Sequence, residues 1–303
     1  MTLSRVVPLA DQIGEASQWA TGHNPRIPFG FPFFDRRTDG GVTYGELSMF
    51  LARTSVGKTW WLLNVIDHNH SVPCVFFSLE MAARAIVVRL AGVTNDTPTS
   101  LIYEQLRATG RSASLETLPA HFPHLAVVDE PGLGLRQMTE VLVEFEDVHS
   151  VRPRLVCIDF LELVKGVGAI DKVSQVTDTV RALKEWTRTH DVSTVVLHQV
   201  PRGDKNNGHQ PLALFSGRYG GEELADYVLA GYRPHLNPDV SQTVREELRK
   251  EFWMQFLKTR SGHETHEEGV LHTINPESGQ IRPLKPGQYW NQSYLNEDFR
   301  GLG

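Results

Sequence analysis

The run Ala52-Arg53-Thr54-Ser55-Val56-Gly57-Lys58-Thr59 sets a lysine and a hydroxyl directly behind a turn of small residues. Residue types in that order hold a triphosphate. Successive backbone N–H groups point inward, Lys58 sits between the β- and γ-phosphates, and the Thr59 hydroxyl ligates Mg²⁺. Ala52 stands where a first glycine is usual. Thr54, Ser55, Val56, Gly57, Lys58, Thr59 and the following Trp60 are therefore the candidate nucleotide-binding residues, with ATP and Mg²⁺ as the implied ligands. Three polar residues at the ends of apolar runs supply further chemistry. Leu155-Val156-Cys157-Ile158 ends in Asp159, about one hundred residues after Lys58, the place for an acid that holds Mg²⁺ together with Thr59. Phe76-Phe77-Ser78-Leu79 delivers Glu80, a carboxylate able to polarise an attacking water. The same glutamate also suits a helix N-terminus, where the dipole favours an acid. Thr194-Val195-Val196-Leu197-His198 ends in Gln199, whose neutral amide can sense a γ-phosphate and pass its loss to the loop behind it.

These groups meet only if strands deliver them to one crevice. Glu46 to Leu51 is expected to be a strand and Trp60 to Ile66 a helix, which puts the phosphates on a helix N-terminus. Val72 to Ser78, Leu125 to Val128, Leu155 to Ile158 and Thr194 to Leu197 are short apolar runs of the kind buried on both faces of a parallel sheet. Their alternation with helical patterns predicts an α/β fold with a doubly wound, mostly parallel sheet and flanking helices. Leu9 to Ala20 is amphipathic and is expected to form a short N-terminal helical arm. Thr94 to Phe122, punctuated by Pro98, Gly110 and Pro119, is expected to be a helical excursion on the surface. Val270 to Ile274 is expected to return to a strand. The resulting layout is an arm over residues 1–24, a nucleotide-binding domain over 25–290 and a tail over 291–303.

Composition narrows the class. The chain has 303 residues, 40% of them hydrophobic and 22% charged, which suits a soluble domain with an ample core. No apolar run approaches membrane-spanning length, and the N-terminus lacks a signal-peptide pattern. Cys74 and Cys157 lie in apolar runs and are expected to be buried free thiols, in keeping with a cytoplasmic location. The net charge of −6 argues against a generally basic nucleic-acid coat, while leaving room for a basic channel or loop.

Taken in order, the segments resemble the C-terminal motor domain of DnaB-type replicative helicases, which are RecA-like P-loop ATPases. The matching pieces begin with Gly30-Phe31-Pro32-Phe33-Phe34-Asp35, Gly40-Gly41, Ala52 to Thr59 and Phe77-Ser78-Leu79-Glu80-Met81. They continue with Ile158-Asp159-Phe160-Leu161-Glu162-Leu163, His198-Gln199-Val200-Pro201-Arg202, Glu222 to Val228, and Lys258-Thr259-Arg260 with Gly262. They cover roughly residues 25–275, and the alanine opening the phosphate loop is also that family's habit. By this resemblance Glu80 is the catalytic base, Asp159 the Mg²⁺ acid and Gln199 the γ-phosphate sensor. Arg89, nine residues after Glu80, falls where the family has an arginine near the nucleotide base. The resemblance further implies that Lys258 and Arg260 reach the nucleotide of a neighbouring subunit in a homo-oligomeric ring, usually a hexamer. By residue type alone the two cations suit a solvated face equally well. His198 replaces the small residue usual before the sensor glutamine, and Thr54 the proline usual in the loop. About 25 residues precede the motor segments, so the chain is expected to lack the family's helical N-terminal domain that engages primase.

Two loops follow the strand ends of Asp159 and Gln199. One opens at Lys165; the other carries Arg202, Lys205 and Arg218. In RecA-like rings such loops line the channel and hold single-stranded DNA by its backbone, and Lys165, Arg202, Lys205 and Arg218 are the candidate DNA-binding residues. The leading expectation is an ATP-dependent helicase or translocase on single-stranded or forked DNA. A RecA-like recombinase or helicase-loader ATPase is a second reading. A metal-dependent, structure-specific nuclease using Asp129, Glu130, Asp159 and Glu162 is a third.

Overall fold

The computed structural model describes residues 8–18, 26–165, 172–200, 208–217, 220–260 and 262–284. Within them α1 (Leu9–Gln18) and α2 (Pro32–Arg37) precede β1 (Leu47–Ala52), α3 (Lys58–His68), β2 (Cys74–Ser78) and α4 (Ala83–Asn95). The helices α5 (Thr99–Thr109), α6 (Ala113–Glu116) and α7 (Leu118–His121) lead to β3 (Leu125–Val128), α8 (Leu135–His149) and β4 (Leu155–Asp159). Next come α9 (Lys172–His190), β5 (Ser193–Gln199), β6 (Tyr227–Tyr232) and α10 (Gln242–Glu247). The strands β7 (Glu251–Lys258), β8 (His266–Ile274) and β9 (Ile281–Pro283) come last.

Strand faces explain the layering. Side chains alternate across a strand, and those of β1 divide accordingly. Phe50 and Ala52 join one core with Trp61, Leu62 and Val65 of α3. Leu47, Met49 and Leu51 join another with Val180 and Leu183 of α9 and Met138 and Leu142 of α8. β4 divides the same way, Leu155 and Cys157 to the first core, Val156 and Ile158 to the second. A sheet packed on both faces needs helices on both, and that is the doubly wound α/β arrangement expected from the sequence.

The nine strands run in the order β3-β2-β4-β5-β1-β6-β7-β8-β9. From β3 through β6 the pairings are parallel; β7, β8 and β9 are added antiparallel. The sequence pattern indicates the strand at Val270 but not that β7, β8 and β9 extend the sheet antiparallel. The region 94–122 is helical as expected, but Ile102, Leu118 and Phe122 enter the core, so it is not a purely surface excursion. The expected strand from Val72 is shorter at its start because Val72 still donates to Asn69 in the turn after α3. In the arm, α1 leaves Leu9 and Ile13 strongly exposed, at 76% and 62%. The expected tail lies outside the described residues. Among those described, no helix is long and apolar enough to cross a membrane.

Trp61 locks α3 to the sheet. Its ring stacks on Phe50 at 3.9 Å with planes 12° apart, and both side chains are fully buried. Trp61→Ala is expected to cost about 3–5 kcal/mol of stability through cavity formation, read as a lower urea midpoint with an unchanged slope.

Candidate active site

The phosphate loop takes its shape from two left-handed residues. Ser55 has φ +70° and Gly57 has φ +110°, a backbone that glycine adopts without cost and serine does not. Gly57 caps α3, so the helix starts at Lys58 and its first N–H groups, which have no intrahelical acceptors, open toward the loop. That makes an anion site. Lys58 folds back over the loop, its Nζ donating to Ala52 O at 3.3 Å. Val56 points the other way: its side chain is buried in the core and its N–H donates to Arg53 O within the loop.

Register brings the remaining groups alongside. Ala52 at the end of β1 is level with Gln199 at the end of β5, and Ser78 of β2 is level with Asp159 of β4. All four strand ends therefore open on one edge, where open α/β sheets bind ligands. Thr59 Oγ1 donates to Asp159 Oδ2 at 2.6 Å. Gln199 Nε2 donates to Thr54 Oγ1 at 2.9 Å, seating this amide on the loop itself. A cleft of about 280 Å³ lies between them, lined by Thr54, Ser55, Gly57, Lys58, Thr59, Trp60, Glu80, Arg89, Phe160 and Gln199. Phe160 is the member that sequence reading missed; it was visible only as the residue after the strand-end acid.

Burial pushes the Asp159 carboxyl up to about 6; Glu80 adds to the rise, while the Thr59 hydroxyl, Lys58 and Arg89 oppose it. Asp159 Oδ1 is buried without a hydrogen-bond partner. A hard cation between this carboxylate and the Thr59 hydroxyl relieves both conditions, so the donor set fits Mg²⁺. Burial likewise holds Lys58 below its ordinary value, against the pull of Asp159, Glu162 and Glu80. A triphosphate beside it would add to that pull and favour the charged form further.

Glu162 and His198 form a layer beneath the cleft. Glu162 Oε1 accepts the Gln199 N–H at 2.9 Å and stands 3.3 Å from His198 Nδ1, on a histidine with no exposed surface. Of the acids considered for a nuclease site, Asp129 accepts the Ala83 N–H at the start of α4. Among the described residues no group of three or more His, Cys, Asp or Glu side chains is arranged to hold a metal.

Lys258 and Arg260 do not enter this cleft. Because β7 runs antiparallel to β6, its end lies at the opposite edge of the sheet. Lys258 Nζ donates to Glu223 O and Ala225 O at 2.6 and 2.7 Å. Arg260 Nη1 pairs with Asp226 Oδ1 at 2.5 Å, and Asp226 Oδ2 accepts the N–H of Leu47, the first residue of β1. The phosphate loop begins at the other end of β1, about 17 Å away at roughly 3.3 Å per residue. Lys165 is exposed just beyond β4, at the cleft edge of the sheet. Arg202, Lys205 and Arg218 lie outside the described residues.

Fold and site together define a P-loop nucleotide-binding domain of RecA-like α/β type. The chain belongs to the family of the DnaB-like helicase C terminal domain, which matches residues 26–268. It is 26% identical over 242 residues to the replicative DNA helicase DnaB of Leifsonia xyli subsp. xyli, covering 76% of this chain and 52% of that protein. It is 27% identical over 223 residues to the replicative DNA helicase DnaC of Bacillus subtilis, covering 68% of this chain and 47% of that one. The chain thus spans about half the length of these two relatives. Two solved structures share the fold. One is a DnaB-like replicative helicase described with its primase interactions, at TM-score 0.71 and 20% identity over 93% of this chain and 68% of the other. The other is the ATPase domain of a protein named G40P, at TM-score 0.72 and 21% identity over 91% and 98%.

Proposed function

We propose that this chain is an ATP-hydrolysing motor of the replicative-helicase type, acting on single-stranded or forked DNA as a homo-oligomeric ring, a hexamer by family habit. The observation that carries the reading is the division of the site between two edges of the sheet. Phosphate loop, Glu80, Asp159 and Gln199 share one edge, while Lys258 and Arg260 stand at the other. A subunit built this way offers a nucleotide on one side and cations on the other, which suits head-to-tail association. Its two buried free cysteines suit the cytoplasm.

In this reading Thr54 to Thr59 and Trp60 seat ATP, Lys58 clamps the β- and γ-phosphates, and Arg89 lies toward the base. Thr59 and Asp159 hold Mg²⁺, which when bound neutralises phosphate charge. Glu80, exposed at the cleft, accepts the proton of the attacking water. Gln199 senses the γ-phosphate, and its hydrogen bond to Thr54 is the contact that a bound nucleotide would rearrange. Arg260 and Lys258 act on the neighbour's γ-phosphate, where positive charge stabilises the transition state.

Glu80→Gln is expected to keep ATP affinity and lower kcat by about 100-fold or more, since the amide cannot take the proton. Unchanged turnover would remove Glu80 from the role of base. Lys165 and the charges at Arg202, Lys205 and Arg218 follow β4 and β5 and serve as backbone contacts to DNA. Changing Arg202, Lys205 and Arg218 to Ala should weaken single-strand binding at all sequences alike and flatten its salt dependence, with basal ATPase kept. Intact DNA affinity would place the channel elsewhere. ATPase, strand-displacement and cleavage assays on one forked substrate test the whole reading; ATP-dependent displacement without cleavage is the expected result.

A further inference from the structure

Asp226 gathers more positive charge than one carboxylate requires. Its side chain is 3% exposed. Oδ2 accepts the Leu47 N–H at 2.7 Å and forms a short ion pair with Lys184 Nζ from α9, while Oδ1 accepts Arg260 Nη1 at 2.5 Å. The two cations differ in freedom: the Lys184 side chain is 17% exposed, that of Arg260 67%. One buried acid therefore holds one enclosed cation and one at the surface. Stripping a buried carboxylate of its counter-charge is strongly unfavourable, because the low-dielectric surroundings do not replace it. Arg260 can leave Asp226 only if another charge stays behind. Lys258 faces no such restriction, since its partners Glu223 O and Ala225 O are neutral carbonyls.

We propose that Asp226 and Lys184 are positioning residues for Arg260: Asp226 holds the guanidinium between engagements, and Lys184 neutralises Asp226 when Arg260 turns to a neighbouring subunit's phosphate. The inference rests on the reading in which Arg260 acts in trans. Lys184→Met should then leave Arg260 bound to an otherwise uncompensated Asp226. ATP is bound at the far edge of the sheet, so nucleotide affinity should stay near wild type while kcat falls at least tenfold. Lys184→Arg keeps the charge and should retain most turnover. Adding Asp226→Asn to Lys184→Met removes the charge that holds Arg260 and should restore turnover to within about threefold of wild type; the asparagine oxygen still accepts the Leu47 N–H.

Mixing separates this role from a purely structural one. Lys184→Met disables the side of the subunit that donates Arg260. Co-assembly with Glu80→Gln, whose donating side is intact, should regain turnover, whereas co-assembly with Arg260→Ala should not. Wild-type hydrolysis by Lys184→Met, or no recovery on adding Asp226→Asn, overturns the inference while leaving Arg260 in its role. Wild-type hydrolysis by Arg260→Ala overturns the trans reading and the inference with it. If Lys184→Met does not fold, Lys184→Gln with and without Asp226→Asn decides by the same comparison: kcat at least tenfold down alone and recovered in the pair supports the inference, and wild-type turnover alone or no recovery in the pair overturns it.

Discussion

Lys58→Ala abolishes ATP turnover and weakens ATP binding: this is the expected result of removing the ammonium at the phosphate loop. Lys58 is largely enclosed by the loop, donates to Ala52 O, and has Asp159, Glu162 and Glu80 acting on its charge. Without it, three carboxylates face the triphosphate with less compensation, and the loss falls on ground state and transition state together. A charge-assisted contact of this kind contributes about 1.5–3 kcal/mol to binding, so affinity should drop roughly 10- to 100-fold. The further loss in kcat reflects γ-phosphate charge that grows as the bond breaks. Equilibrium binding of a fluorescent ATP analogue and single-turnover hydrolysis measure the two effects separately. Hydrolysis at the wild-type rate would refute the phosphate-loop assignment. Folding itself should be preserved, because the lysine contributes no side chain to either hydrophobic core.

The parts of this site that were legible in the sequence are the local ones. A phosphate loop is read from eight consecutive residues, and Asp159, Glu80 and Gln199 were found because each closes or directly follows a short apolar run. Burial on both faces made those runs apolar throughout, and this identified the parallel strands. What sequence could not supply depends on contacts between distant segments. Lys184 sits on α9 among Arg181, Glu185 and Arg188, and by pattern it belongs to a solvated helix face. Only the fold brings it to Asp226, 42 residues on, and Arg260 to the same acid from a further 34. The hydrogen bond from Gln199 to Thr54 spans 145 residues. β7 mixes Glu251, Gln255 and Lys258 with aromatic and apolar residues, so its pattern does not state which way it runs, and that direction decides where Arg260 ends up.

Arg260→Ala should eliminate hydrolysis while each subunit still binds ATP. Nothing in the cleft changes: Arg260 stands at the Leu47 end of β1, and the phosphate loop starts at the Ala52 end. Loss of turnover with intact binding would therefore mark a contribution from outside the subunit, and a transition-state arginine supplied in trans is worth several orders of magnitude in rate. Complementation makes the inference sharper. Arg260→Ala and Glu80→Gln proteins are each expected to lose nearly all turnover, but in the proposed ring a mixture would contain interfaces that pair an intact Glu80 with an intact Arg260 from the next subunit. Turnover should reappear on mixing, with a maximum near equal proportions, and wild-type ATPase per subunit should rise with protein concentration as rings assemble. Removing Arg260 also leaves Asp226 with Lys184 and the Leu47 N–H, so the buried carboxylate stays compensated and stability should change little. A dilute monomer that hydrolyses at the full rate, or mutants that never complement after co-assembly, would confine Arg260 to its own chain, where the sheet itself separates it from the phosphates.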